Sequence, residues 1–113
     1  MARDLDDLIV RGSYGVHMLC CPVCDFDYTD VENVGVAARL EDEVTKHLVL
    51  NTATGALDHA ESVPMGTRVG EGRRSRVALM CSCENGHRFA IVFTQHKGQT
   101  FVEIAVIQDV RGE

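Results

Sequence analysis

The chain contains no tryptophan, only four phenylalanines and two tyrosines, and just two prolines in 113 residues. A core short of large rings buries little apolar area per side chain, so a domain of this length needs a compensating cross-link or staple. Such a length supports one core and leaves no room for two. Long hydrophobic runs are also missing: nothing approaches the roughly 20 apolar residues of a membrane helix. The opening MARDLDDLIV is acidic and only briefly hydrophobic, unlike the apolar stretch of a secretory signal. The expectation is therefore an unexported, cytoplasmic protein. Bases are the scarcer charge, 11 against 17 acids for a net charge of −6. That balance argues against a general nucleic-acid binder, whose phosphate contacts need a positive field. The bases are unevenly placed, however, because Arg68, Arg73, Arg74 and Arg76 fall close together and predict a local positive patch.

Cysteine is absent everywhere except two clusters, CCPVC at 20–24 and CSCENGH at 81–87. In a reducing compartment, clustered cysteines are more often metal ligands or redox groups than structural disulfides. Around them the pattern is mainly β. Val34, Val36, Ala38 and Leu40 recur with period two, as do Val44, Lys46, Leu48 and Leu50 after the acidic turn 41–43, so residues 33–51 read as a hairpin. A helix across 39–50 is the rival reading, favoured by its Glu, Lys and Leu content. Residues 3–10 allow a short N-terminal helix that would be marginal alone. The stretch 52–76, with Gly55, Gly66, Gly70, Gly72 and the arginines, has no periodicity and predicts one long flexible loop. Three β-rich runs follow at 77–83, 88–95 and 100–107. Between the last two, His96-Lys97-Gly98-Gln99 supplies glycine where a tight turn needs positive φ. Phe89, Ile91 and Phe93 then share one face, as do Val102, Ile104 and Val106.

The element Cys21-Pro22-Val23-Cys24 lets two thiolates grip one ion from a tight turn while backbone N–H groups point at the sulfurs. Thioredoxin-like redox sites use the same spacing, so this element alone does not decide. The second cluster lies at a strand–turn–strand junction, where a second gripping turn belongs. Cys83 and His87 enclose Glu84-Asn85-Gly86, and Gly86 can take the sharp bend. The favoured set is Cys21, Cys24, Cys83 and His87 around one structural zinc ion, with Cys81 as the substitute for either member of the second pair. Cys20 reads as a buried free cysteine and His17 as an ordinary histidine.

With these residues in view, the chain resembles a group of small zinc-ribbon proteins of unknown function encoded by actinobacterial phages and related bacterial genomes. The resemblance rests on CPVC at 21–24, RLED at 39–42, GRRSR at 72–76, CENGHRF at 83–89 and QHKGQTFVEI at 95–104, which occur in the same order. It implies a zinc-ribbon-like antiparallel sheet with two metal-binding turns as a single domain over 1–113. It also assigns the second ligand pair to Cys83 and His87 and leaves Cys81 as a strand residue. One departure is Asp25, which stands where such ribbons usually have glycine.

Four protein ligands would leave no open coordination position, and the serines and acidic clusters form no catalytic motif, so an enzyme is not expected. The leading expectation is a small binding module that contacts a protein partner, on host machinery if the chain is phage-encoded. Arg73, Arg74, Arg76, His96 and Lys97 are its candidate partner-binding residues. The alternatives are a nucleic-acid-binding ribbon that uses the arginines and a thiol redox protein.

Overall fold

The computed structural model describes residues 9–11, 15–39, 45–64, 75–96 and 98–108. These form eight strands: β1 (Ile9–Arg11), β2 (His17–Leu19), β3 (Thr29–Arg39), β4 (Thr45–Asn51), β5 (Leu57–His59), β6 (Arg76–Cys83), β7 (Arg88–His96) and β8 (Gln99–Gln108). β1 and β2 pair as a small hairpin, and the other six form one sheet in the order β5-β4-β3-β6-β7-β8. Every pairing is antiparallel. Two meanders, β3-β4-β5 and β6-β7-β8, are thus joined along β3 and β6. No described residue is α-helical. Of the N-terminal segment read as a short helix, residues 3–8 lie outside the described residues, while Ile9 and Val10 belong to β1.

The period-two patterns set the register. Val34 faces Leu50 and Val36 faces Leu48, as a hairpin over 33–51 requires, and this excludes the rival helix. Phe89 faces Val106, Ile91 faces Ile104 and Phe93 faces Val102. Gly98 closes that hairpin with φ of 82°, a conformation that costs glycine nothing sterically.

Both faces of the central strands are covered. On one face Phe89, Ile91, Ile104, Cys81 and Cys83 pack with Cys21. On the other, Ala37, Ala78, Ala90 and Val92 form a floor of small side chains under Val63. Here the structure corrects the reading of 52–76 as one loop. Asn51 folds the chain back through its side chain, which accepts hydrogen bonds from the amides of Ala53 and Thr54. β5 then pairs with β4, and the chain crosses the sheet so that Val63 is buried. Gly35 makes this close approach possible: a Cβ there would lie 3.0 Å from Val63 Cγ1 and 3.1 Å from Met80 Cε.

Arg76, expected at an exposed basic patch, is inside the protein, with 5% of its surface accessible. Its Nη2 donates to the Val63 carbonyl at 2.7 Å and its Nε to that of Pro64 at 3.1 Å. The guanidinium fork therefore clamps the crossing segment to the sheet. Arg73, Arg74 and Lys97 lie outside the described residues, and His96 is placed only as the last residue of β7.

Candidate metal centre

Residues 20–28 form the first turn. Pro22, Val23 and Cys24 make the bend, closed by the Asp25 amide on the Cys21 carbonyl (2.9 Å) and the Cys21 amide on the Phe26 carbonyl (2.8 Å). Asp25 has φ of 65°, a left-handed conformation that glycine enters most readily. Aspartate is one of the few side chains that enters this region without a large penalty. The Thr29 hydroxyl donates to the Leu19 carbonyl at 3.1 Å and ties the base of the turn. The second turn links β6 to β7: the Cys83 amide bonds the His87 carbonyl and the Gly86 amide bonds the Cys83 carbonyl, both at 3.0 Å. Gly86 carries φ of 93°.

These turns bring four donors together. Cys21, Cys24, Cys83 and His87 each present one ligand atom, and all four atoms lie within 4.8 Å of one another. His87 Nδ1 is 3.7 Å from Cys21 Sγ and 3.4 Å from Cys83 Sγ. Cys24 Sγ and Cys83 Sγ are 3.8 Å apart, far beyond the roughly 2.05 Å of a disulfide bond. All five cysteines are free thiols. His87 and Cys21 are fully buried, Cys83 is buried and Cys24 is half-buried. Three thiols and an imidazole converging on one point, mostly away from water, are what a metal ion requires.

No family model, curated protein or solved structure matches this chain. The centre is therefore characterised by its own geometry.

Hydrogen bonds prepare the sulfurs for charge. The Val23 amide donates to Cys21 Sγ at 3.4 Å, and Asn85 Nδ2 donates to Cys24 Sγ at 3.3 Å. Burial pushes the Cys21 thiol up to about 11 against the downward pull of the Cys24 and Val23 amides. At Cys24 burial also acts upward. The Asn85 hydrogen bond, the Phe26 amide and the His87 and Cys83 side chains outweigh it and bring that thiol down to about 6. The pair thus holds one thiol disposed to ionise at neutral pH and one that would ionise as a cation displaces its proton.

The remaining sulfurs stand apart. Cys81 is buried on the same face, but it is not one of the four converging donors. Its Sγ donates weakly to the Leu79 carbonyl at 3.5 Å. Burial and, secondarily, the Glu32 charge push its thiol up to about 11. Cys20 is buried and His17 exposed, both outside the cluster. Asn85 is a contributor that the ligand spacing does not reveal. The only available signal was its place before Gly86 in a metal turn, where a side-chain amide reaches a neighbouring sulfur as readily as a backbone one does.

Around the first turn the surface is apolar and acidic together. Phe26 and Tyr28 stack with ring centroids 5.4 Å apart, and Val16, Met18 and Val31, which precede and follow the turn in the chain, are also exposed. Asp25, Asp27, Asp30 and Glu32 are exposed along the same stretch. Among the described residues no helix is long and apolar enough to cross a membrane.

Proposed function

We propose that this chain is a non-enzymatic binding module whose fold depends on one structural zinc ion held by Cys21, Cys24, Cys83 and His87. The observation that carries the reading is the spacing of the donors. Zinc bonds of about 2.3 Å to sulfur and about 2.0 Å to nitrogen set tetrahedral separations near 3.8 Å for S···S and 3.5 Å for S···N. Three of the six separations are 3.8 Å for Cys24–Cys83 and 3.7 and 3.4 Å from His87 Nδ1 to Cys21 and Cys83 Sγ, and none of the six exceeds 4.8 Å. A donor set of three soft thiolates and an imidazole favours zinc over oxygen-seeking cations such as magnesium or calcium. With every coordination position filled by protein, the ion has no open site for water and serves as a staple. That supplies what a domain without tryptophan and with few other aromatics needs.

The working surface in this reading is the apolar, acidic rim of the first metal turn, and the partner is a protein. Exposed Phe26 and Tyr28 offer hydrophobic anchors. The neighbouring carboxylates disfavour phosphate and suit a partner surface bearing lysine or arginine. A nucleic-acid role is less well supported, since Arg76 is engaged inside the protein. The resemblance to phage-encoded ribbons makes a host protein the natural partner. The test is chelation. Stripping the ion should collapse the dispersed amide spectrum, and added zinc should restore it. Full dispersion in metal-free protein would overturn the staple.

A further inference from the structure

Among the described residues the two edges of the main sheet differ. At one end β5 offers three residues, and at the other β8 offers ten, QTFVEIAVIQ. Long edge strands in proteins are normally blunted by proline, lysine, a bulge or a covering segment, because unpaired N–H and C=O groups invite another strand. β8 contains no proline and no lysine, and Glu103 is its one charge. Its register shift falls at the far end, opposite Arg88 and Phe89, and leaves residues 99–106 regular.

The direction of the free backbone groups follows from one hydrogen bond. The Gln95 amide donates to the Ser75 carbonyl at 3.2 Å, so odd-numbered residues of β7 turn their backbone groups to β6 and even-numbered ones to β8. Val92 faces Glu103 and Ala90 faces Ala105. Phe101, Glu103 and Ala105 are therefore bonded inward to β7. Thr100, Val102, Ile104 and Val106 turn both N–H and C=O outward.

We propose that β8 pairs antiparallel with β8 of a second copy of this chain, about a two-fold axis at Ile104. In that register Val102 lies opposite Val106 of the partner subunit, Glu103 opposite Ala105 of the partner subunit and Phe101 opposite Ile107 of the partner subunit. Every outward N–H and C=O near the centre gains a partner. Apolar side chains meet apolar ones, as favourable cross-strand pairs require, and no like charges face each other. The competing register centred on Glu103 sets two carboxylates face to face and is disfavoured. A register centred on Val102 also keeps like charges apart, but the turn at Gly98 limits it to residues 99–105, whereas centring on Ile104 pairs residues 100–108. Val102 and Ile107, exposed by 38% and 48% in the single chain, become covered. Directly opposed residues share a sheet face, so the two metal centres end on the same side of one continuous sheet.

The test uses the metal-loaded, full-length protein. Sedimentation from low to high micromolar concentration should give twice the chain mass. Amide exchange should be slow at Val102, Ile104 and Val106 in the dimer and become fast on dilution, while Phe101, Glu103 and Ala105 stay slow throughout. Val102→Pro removes an outward N–H and no bond to β7, so it should give a folded monomer. A chain that is monomeric at every concentration overturns the proposal. So does a dimer in which the Val102 and Ile104 amides exchange as fast as on dilution, or one that survives Val102→Pro in folded protein.

Discussion

Replacing Arg76 separates a structural role from a surface one. Its guanidinium donates charge-assisted hydrogen bonds to the carbonyls of Val63 and Pro64 from a position 5% exposed. Hydrogen bonds to charged groups contribute about 1.5–3 kcal/mol each. Arg76→Met keeps the apolar stem and removes both. The solvation that arginine recovers on unfolding offsets part of this loss, which leaves an expected destabilisation of about 2–4 kcal/mol. That is a large share of the roughly 5–15 kcal/mol that holds a domain together. With a urea dependence of about 1–3 kcal/mol per molar, the unfolding midpoint should fall by about 1–2 M. Arg76→Lys keeps the charge without the planar fork and should fall in between. Metal content should stay unchanged, because the clamp and the metal turns occupy opposite faces of the sheet. An unfolding free energy within about 0.5 kcal/mol of the parent, as for an ordinary surface arginine, would refute the clamp.

Other outcomes follow from the same geometry. Gly35→Ala should destabilise by about 1–2 kcal/mol through crowding of Val63 and Met80. Adding Val63→Ala should cost less than the sum of the two single changes, and a double-mutant cycle in urea reads the coupling. Asn85→Ala removes the hydrogen bond to Cys24 Sγ and should weaken zinc about ten-fold in a chelator competition. Asp25→Val should cost about 1–2 kcal/mol because a β-branched side chain does not fit φ of 65°, whereas Asp25→Gly should be tolerated. Cys81 is raised from an ordinary 9.0 to about 11 by burial and the Glu32 charge. Unfolding lets it ionise earlier, so its stabilising effect is complete below pH 9.0 and is lost as pH rises towards 11. Cys81→Ala should flatten that part of a stability–pH curve, and an unchanged slope would assign it elsewhere.

Much of this architecture was legible in the sequence. The C-terminal hairpin declared itself through alternation and Gly98, and the 33–51 hairpin through two period-two runs. The four converging donors followed from ligand spacing, since a turn of two or three residues fixes where sulfurs and imidazole point. What stayed hidden depends on contacts between distant parts of the chain. Neither β5 nor the crossing at Val63 has a period of its own, because three residues are too few and Val63 is held by a floor of glycine and alanines from β3, β6 and β7. Arg76 looked like one more surface base because its neighbours in sequence are arginines. Only the strand placing it under the Val63 and Pro64 carbonyls reveals the clamp. Asp25 stood out only against the ribbons the chain resembles, and residue identity alone could not say whether its backbone is left-handed.

Elemental analysis of protein purified without added metal bears most directly on the zinc staple, run beside Cys83→Ser, His87→Ala and Cys81→Ser. One zinc per chain is expected, lost or sharply reduced in Cys83→Ser and His87→Ala and retained in Cys81→Ser. Metal-free protein with its native fold, or zinc that departs only when Cys81 is changed, would contradict this expectation.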